Sequence, residues 1–125
     1  MSNKLIALHG VELDKACAIA LGWKLHQTKN PQDAFYLTEG KPVLVDFWKP
    51  TQSARQCMRL MLDHCIGTEY IAKAGIWQAR ISNETQTTEA KAKRLHEAVC
   101  RCFLMNQVAK GIISEEDIIF ELTSA

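Results

Sequence analysis

The residue pairs most able to do chemistry are few. His96 and Cys100 stand four apart, the spacing that puts two side chains on one helix face and suits metal ligation. Cys57, His64 and Cys65 are further ligand types. The chain has no CxxC or HxxxH, so the spacings of structural zinc sites are missing and no metal is expected. Cys65 beside His64 has the residue types of a nucleophile and its base. Neighbouring helix residues diverge by about 100°, however, and a helix C-terminus does not activate a thiol. His9 and His26 have no recognisable partner, and Asp46 and Glu39 do not pair by spacing with a second acid. The six glycines form neither GxGxxG nor GxxxxGK[ST], so nucleotide-phosphate loops are not indicated. Neither catalysis nor a cofactor follows from these residues.

Binding is better supported. Residues 1–48 carry five bases and five acids, 49–110 carry ten and five, and 111–125 carry four acids and no base. The basic middle contains Arg55, Arg59, Lys73 and Arg80, which could meet an anionic ligand if they converge. Trp23, Phe35, Tyr36, Phe47, Trp48 and Trp77 crowd the extended segments and their approaches. Such aromatics pack a two-sided core, or line a pocket or interface. On this reading the weak ligand or partner set is Arg55, Arg59, Lys73, Arg80 and Trp48.

The elements that would position these residues can be read from periodicity. Residues 11–21 read as a helix with Val11, Leu13, Cys17, Ala18, Ile19 and Leu21 on its apolar side and Gly22 as its stop. Residues 34–38 and 43–48 read as an antiparallel hairpin about Glu39-Gly40-Lys41-Pro42. Thr51 or Ser53 caps a helix running to about Cys65, with a stripe of Ala54, Cys57, Met58, Met61 and Cys65, and Gly67 as its C-cap. Residues 69–82 read as an extended pair broken at Gly75, with Trp77, Ala79 and Ile81 inward and Gln78, Arg80 and Ser82 outward. The longest helix is expected over 87–109, closed by Lys110 and Gly111, and a short acidic helix over 115–122, capped by Ser114.

Hairpins set between helices give an α+β class, a small and mostly antiparallel sheet packed with helices in an α/β/α-like sandwich. A chain of 125 residues fits one domain, with 111–125 as a short acidic extension. The formal charge of +1 carries no nucleic-acid signature. No run approaches 18 apolar residues, so no membrane partner is expected, and Met1-Ser2-Asn3-Lys4 does not open a secretory leader. Five cysteines, an odd number placed mostly on helices, suit reduced and buried thiols in a cytoplasmic protein.

Three stretches stand out. The first is the helix ending Ala20-Leu21-Gly22-Trp23. The second is Phe47-Trp48-Lys49-Pro50-Thr51, an aromatic and proline-bearing lead into the second helix. The third is Thr87-Thr88-Glu89-Ala90 followed by Glu97-Ala98-Val99-Cys100-Arg101-Cys102. Taken in order and spacing, these stretches resemble the phage α/β/α (ABA) sandwich domain family of phage and prophage proteins. Residues 92–96 look like extra helix relative to that family, and 111–125 run beyond its usual end. The resemblance implies an α/β/α fold and brings no catalytic residue to carry over. Together with the residues it implies a non-enzymatic phage or prophage accessory protein acting by binding. Its partner would be a host or phage protein, with homo-oligomerisation possible. The alternative is a small-ligand binder that sequesters an anionic nucleotide signal. Thiol titration of the denatured, unreduced protein should return all five cysteines; a loss of two or four would contradict the reduced state.

Overall fold

The computed structural model describes residues 3–123. A short helix α1 (Asn3–Ile6) precedes α2 (Gly10–Ala20). Three short strands follow, β1 (Lys24–His26), β2 (Phe35–Leu37) and β3 (Val43–Leu44), which form one antiparallel sheet in that order. Helix α3 (Ala54–His64) leads to a second antiparallel sheet, β4 (Gly67–Ile71), β5 (Ile76–Ser82) and β6 (Thr87–Ala92). Helices α4 (Leu95–Ala109) and α5 (Glu115–Thr123) complete the chain. The fold is α+β, two small antiparallel sheets flanked by helices, consistent with the sandwich read from the sequence.

Helix α4 is the centre of the packing. One side lies on β5 and β6, and α2 and α3 pack on its others. It is therefore buried nearly all round: Ala98, Val99, Cys100, Cys102, Phe103 and Leu104 are all sequestered. A helix apolar on every side is what such a position requires. Leu13, Ala16 and Cys17 of α2, Cys57 and Leu60 of α3, and Ile118 of α5 join the same core.

The longest expected helix is corrected by the structure. Residues 87–92 are strand β6, and α4 begins at Leu95. Thr88, Ala90 and Ala92 are buried while Thr87, Glu89 and Lys91 are exposed, the period-two alternation of a half-buried strand. Alanine and glutamate favour helix locally, but pairing with β5 from Trp77↔Ala92 to Ser82↔Thr87 overrides that preference. Small side chains at Ala79, Ala90 and Ala92 let α4 lie close to the sheet.

Four smaller corrections have local causes. Lys24–His26 is an unforeseen strand, because all three residues are exposed and show no alternation. The expected strand over 43–48 stops at Leu44, and Val45–Phe47 turn as a 3-10 helix. That turn carries Trp48 to a partner on α2. On α3 the stripe is rotated: Cys57 and Leu60 are buried, whereas Ala54, Met58, Leu62 and Cys65 are exposed. The α3 C-cap is Cys65 in the left-handed region (φ 55°), and Gly67 instead opens β4.

Other sequence signals hold. Gly22 (φ 83°) ends α2, with Gly22 N–H donating to Ile19 O and Trp23 N–H to Ala18 O. Ser53 Oγ accepts from Gln56 N–H, and Ser114 Oγ from Asp117 N–H. Ala79 and Ile81 are buried and Trp77 half-buried against the core, while Arg80 lies outside and pairs with Glu89. The core under the β4–β6 sheet and the sheet's outer face should separate in unfolding measurements. Phe103→Ala, which empties the central contact, should cost about 3–5 kcal/mol. Arg80→Ala should stay within about 0.5 kcal/mol. Equal losses in urea unfolding would mean that the outer face is also covered.

Candidate functional site

The residues singled out by charge separate in space. Arg59 bonds Asp63 at 3.0 Å along α3, and Arg80 pairs with Glu89 across β5 and β6. Arg55 is exposed at the start of α3, and Lys73 is exposed in the turn between β4 and β5. A cleft beside Cys65, Gly67 and Gln78 takes in Arg80 and none of the other three. Trp48 is half-buried: its indole N–H donates to Asp14 O at 2.8 Å, and its ring meets Trp23 edge-on at 4.6 Å.

Asp14 is the polar centre of that region. The residue is 2% exposed on an otherwise apolar face of α2. Its carboxylate accepts from Thr51 N–H at 2.9 Å and from Thr51 Oγ at 3.0 Å. Burial raises the Asp14 pKa above its usual value, with Glu97 adding to the rise, while the Thr51 bonds and Lys49 oppose it. Thr51, expected as a helix cap, instead anchors the loop ahead of α3 to α2.

This anchor sets the small β1–β3 sheet over α2 and opens a groove between them. The groove holds about 310 Å3. Ile19 and Lys15 of α2, Trp23, Leu25 of β1, Tyr36 of β2, and Leu122 with Glu121 of α5 form its walls. Leu25 stands opposite Tyr36 in the strand register, so the two side chains share the face turned to α2. Trp23 packs on Tyr36 at 5.9 Å. Tyr36 is only 4% exposed, yet its hydroxyl meets no hydrogen-bond partner among the described residues and is not sealed off, so it opens into the groove. Burial pushes its phenol up to about 12, with the nearby Asp14 charge adding to the rise.

The aromatic signal in the sequence was the one that led here, through Trp23 and Tyr36. Charge led elsewhere. Leu25, Gln27 and Thr28 gave no signal, because β1 was not legible. Leu122 packs against the core and also lines the groove, a placement that depends on how α5 meets α2.

Two other candidate chemistries also have defined places. His64 is half-buried, its ring 4.6 Å from Phe103, and burial lowers its pKa. Cys65 is exposed in the left-handed cap. Cys100 is sealed in the core, where Cys17 Sγ donates to its carbonyl at 3.6 Å. Burial and the Cys17 contact raise the Cys100 thiol pKa, the Cys17 contact most, and burial pushes Cys57 up to about 12. Thiols held protonated in this way are poor nucleophiles. Among the described residues, no group of three or more His, Cys, Asp or Glu is placed to hold a metal ion. No helix among them is long and apolar enough to cross a membrane.

A buried helix laid on an antiparallel sheet, with a second small sheet pinned across its neighbour, makes this a small α+β sandwich domain. The chain belongs to the family described as Bacteriophage P22, NinX, which matches residues 4–107. No curated protein matches it. The matched span includes both sheets; α5, which supplies Glu121 and Leu122 to the groove, lies outside it.

Asp14→Ala should cost about 1–3 kcal/mol, because it leaves the buried Thr51 N–H unpaired. Asp14→Asn keeps an acceptor there and should lose less. In the parent the folded carboxyl holds its proton to higher pH than the unfolded one, which ionises near 3.8. Asp14 therefore contributes a loss of stability as pH rises from that value through the raised folded one. Urea midpoints taken across that range should slope less in D14N than in the parent; equal slopes would show that Asp14 does not titrate there.

Proposed function

We propose that this phage protein acts by binding, and that the groove between α2, the β1–β3 sheet and α5 is its binding site. The observation that carries the reading is Tyr36, a residue buried overall whose hydroxyl has no hydrogen-bond partner among the described residues and opens into an apolar groove. Buried polar groups in folded proteins nearly always find a partner, so one left open to a cavity marks where a ligand atom fits. The groove volume is at the low end of small-molecule pockets, which run about 300–1,000 Å3. Its composition, apolar walls with a few polar groups, is also that of such pockets.

A nucleotide with several negative charges has less support. Arg59 and Arg80 already face acids, and the groove sets a single lysine against a glutamate. No nucleophile, base and orienting group converge there, which favours binding over catalysis.

Screening small fragments against 15N-labelled protein should give amide shifts that cluster around Leu25 and Tyr36. Leu25→Arg adds a long charged side chain at a half-exposed position and should abolish those shifts without lowering the melting temperature by more than a few degrees. Shifts that cluster elsewhere, or that survive in L25R, would place binding at another surface.

A further inference from the structure

We propose that the ligand of this groove is a small, uncharged planar heterocycle with a hydrogen-bonding edge, the chemistry of a nucleobase or nucleoside; the inference rests on the binding reading above. Three features of the lining select that class.

The first is shape and surface. Trp23 brings an aromatic ring to the wall, held in place by contacts of 4.6 Å to Trp48 and 5.9 Å to Tyr36. The Trp48 ring is itself fixed by its bond to Asp14 O, so Trp23 is a rigid platform rather than a mobile cover. Flat rings stack on such platforms whatever their sequence of ring atoms. Ile19 and Pro31 add further apolar surface to the lining.

The second is the kind of polarity. Tyr36, Gln27 and Thr28, with the donor-only indole N–H of Trp23, are the neutral hydrogen-bonding side chains of the lining. Thr28 Oγ1 already donates to Asn30 O at 2.6 Å, which leaves it lone pairs to accept with. Gln27 offers both an amide donor and a carbonyl acceptor. The Tyr36 phenol, pushed up to about 12, stays protonated at neutral pH and both donates and accepts. This set matches a ring edge that alternates donors and acceptors; a hydrocarbon would leave the Tyr36 hydroxyl buried and unpaired.

The third is charge. Lys15 and Glu121 are the charged residues of the lining, of opposite sign and not paired with one another. Their sum gives the groove no net attraction for an ion of either sign.

The test compares adenosine with cyclohexanol, phenylalanine and ATP, each followed by amide shifts around Leu25 and Tyr36. Adenosine should bind there at least about tenfold more tightly than cyclohexanol or phenylalanine, because only adenosine combines a flat stacking ring with an edge that pairs several of the lining's polar groups at once. Tyr36→Phe should weaken adenosine by about three- to tenfold and cyclohexanol, with its single hydroxyl, by less. Gln27→Leu, at an exposed position that does not endanger folding, should weaken adenosine in the same direction and serves if Y36F does not fold. Cyclohexanol binding as well as adenosine would overturn the heterocycle and leave an apolar groove. Tighter binding of phenylalanine or of ATP would overturn it in favour of a zwitterion or an anion. In those cases the groove itself still stands as the binding site. Absence of groove shifts with every probe would overturn both.

Discussion

The Asp14 carboxylate and Thr51 hold the two parts of this protein together. Both residues are buried, the carboxylate takes both Thr51 donors, and the Asp14 carbonyl takes the Trp48 indole. Burying a carboxylate is unfavourable unless its lone pairs are satisfied, so the loop from Trp48 to Thr51 is held to one position on α2. Everything between β1 and β3 hangs from that loop. Had a neutral apolar residue stood at position 14, hydrophobic contact alone would join the small sheet to the helix, and such contact is non-directional.

The second constraint is the burial of α4. Its buried polar residues find partners: Asn106 accepts from Thr88 Oγ1, Gln107 Nε2 donates to Ala20 O, and Cys102 Sγ donates to Thr88 O. Arg101 leaves the core and bonds Leu8 O through Nε at 3.2 Å and Nη2 at 3.1 Å, and Lys91 O through Nη1. The Cys100-Arg101-Cys102 run, part of the family resemblance, thus serves the fold: one thiol beside α2, one against β6, and a guanidinium tying the N-terminal segment to the sheet. Its chemistry is packing and hydrogen bonding.

The groove is a consequence of these two constraints. A small sheet hung from one loop cannot cover α2 closely along its whole length, and the space left beneath Leu25 and Tyr36 is closed only in part by α5. Tyr36 lines that space, and its hydroxyl has no partner among the described residues. The site is therefore built from four separate elements, none of which carries a recognisable motif alone.

Much of the architecture was legible because it depends on neighbours in sequence. Helix stops at Gly22 and Gly111, caps at Ser53 and Ser114, and the alternation of Ala79 and Ile81 follow from local backbone geometry and periodicity. The aromatic clustering that points to Trp23 and Tyr36 was also in the sequence. Three decisions belonged to tertiary structure. Residues 87–92 became a strand because β5 supplies their hydrogen bonds, which outweighs a helical preference of a few tenths of a kcal/mol per residue. Asp14 became a buried anchor because Thr51, 37 residues away, meets it. Arg55, Arg59, Lys73 and Arg80 did not gather: Arg59 and Arg80 each face an acid, and Arg55 and Lys73 are exposed elsewhere. Sequence separation hides such pairings: whether two distant residues meet is decided by how whole elements pack, and packing is a property of the finished core.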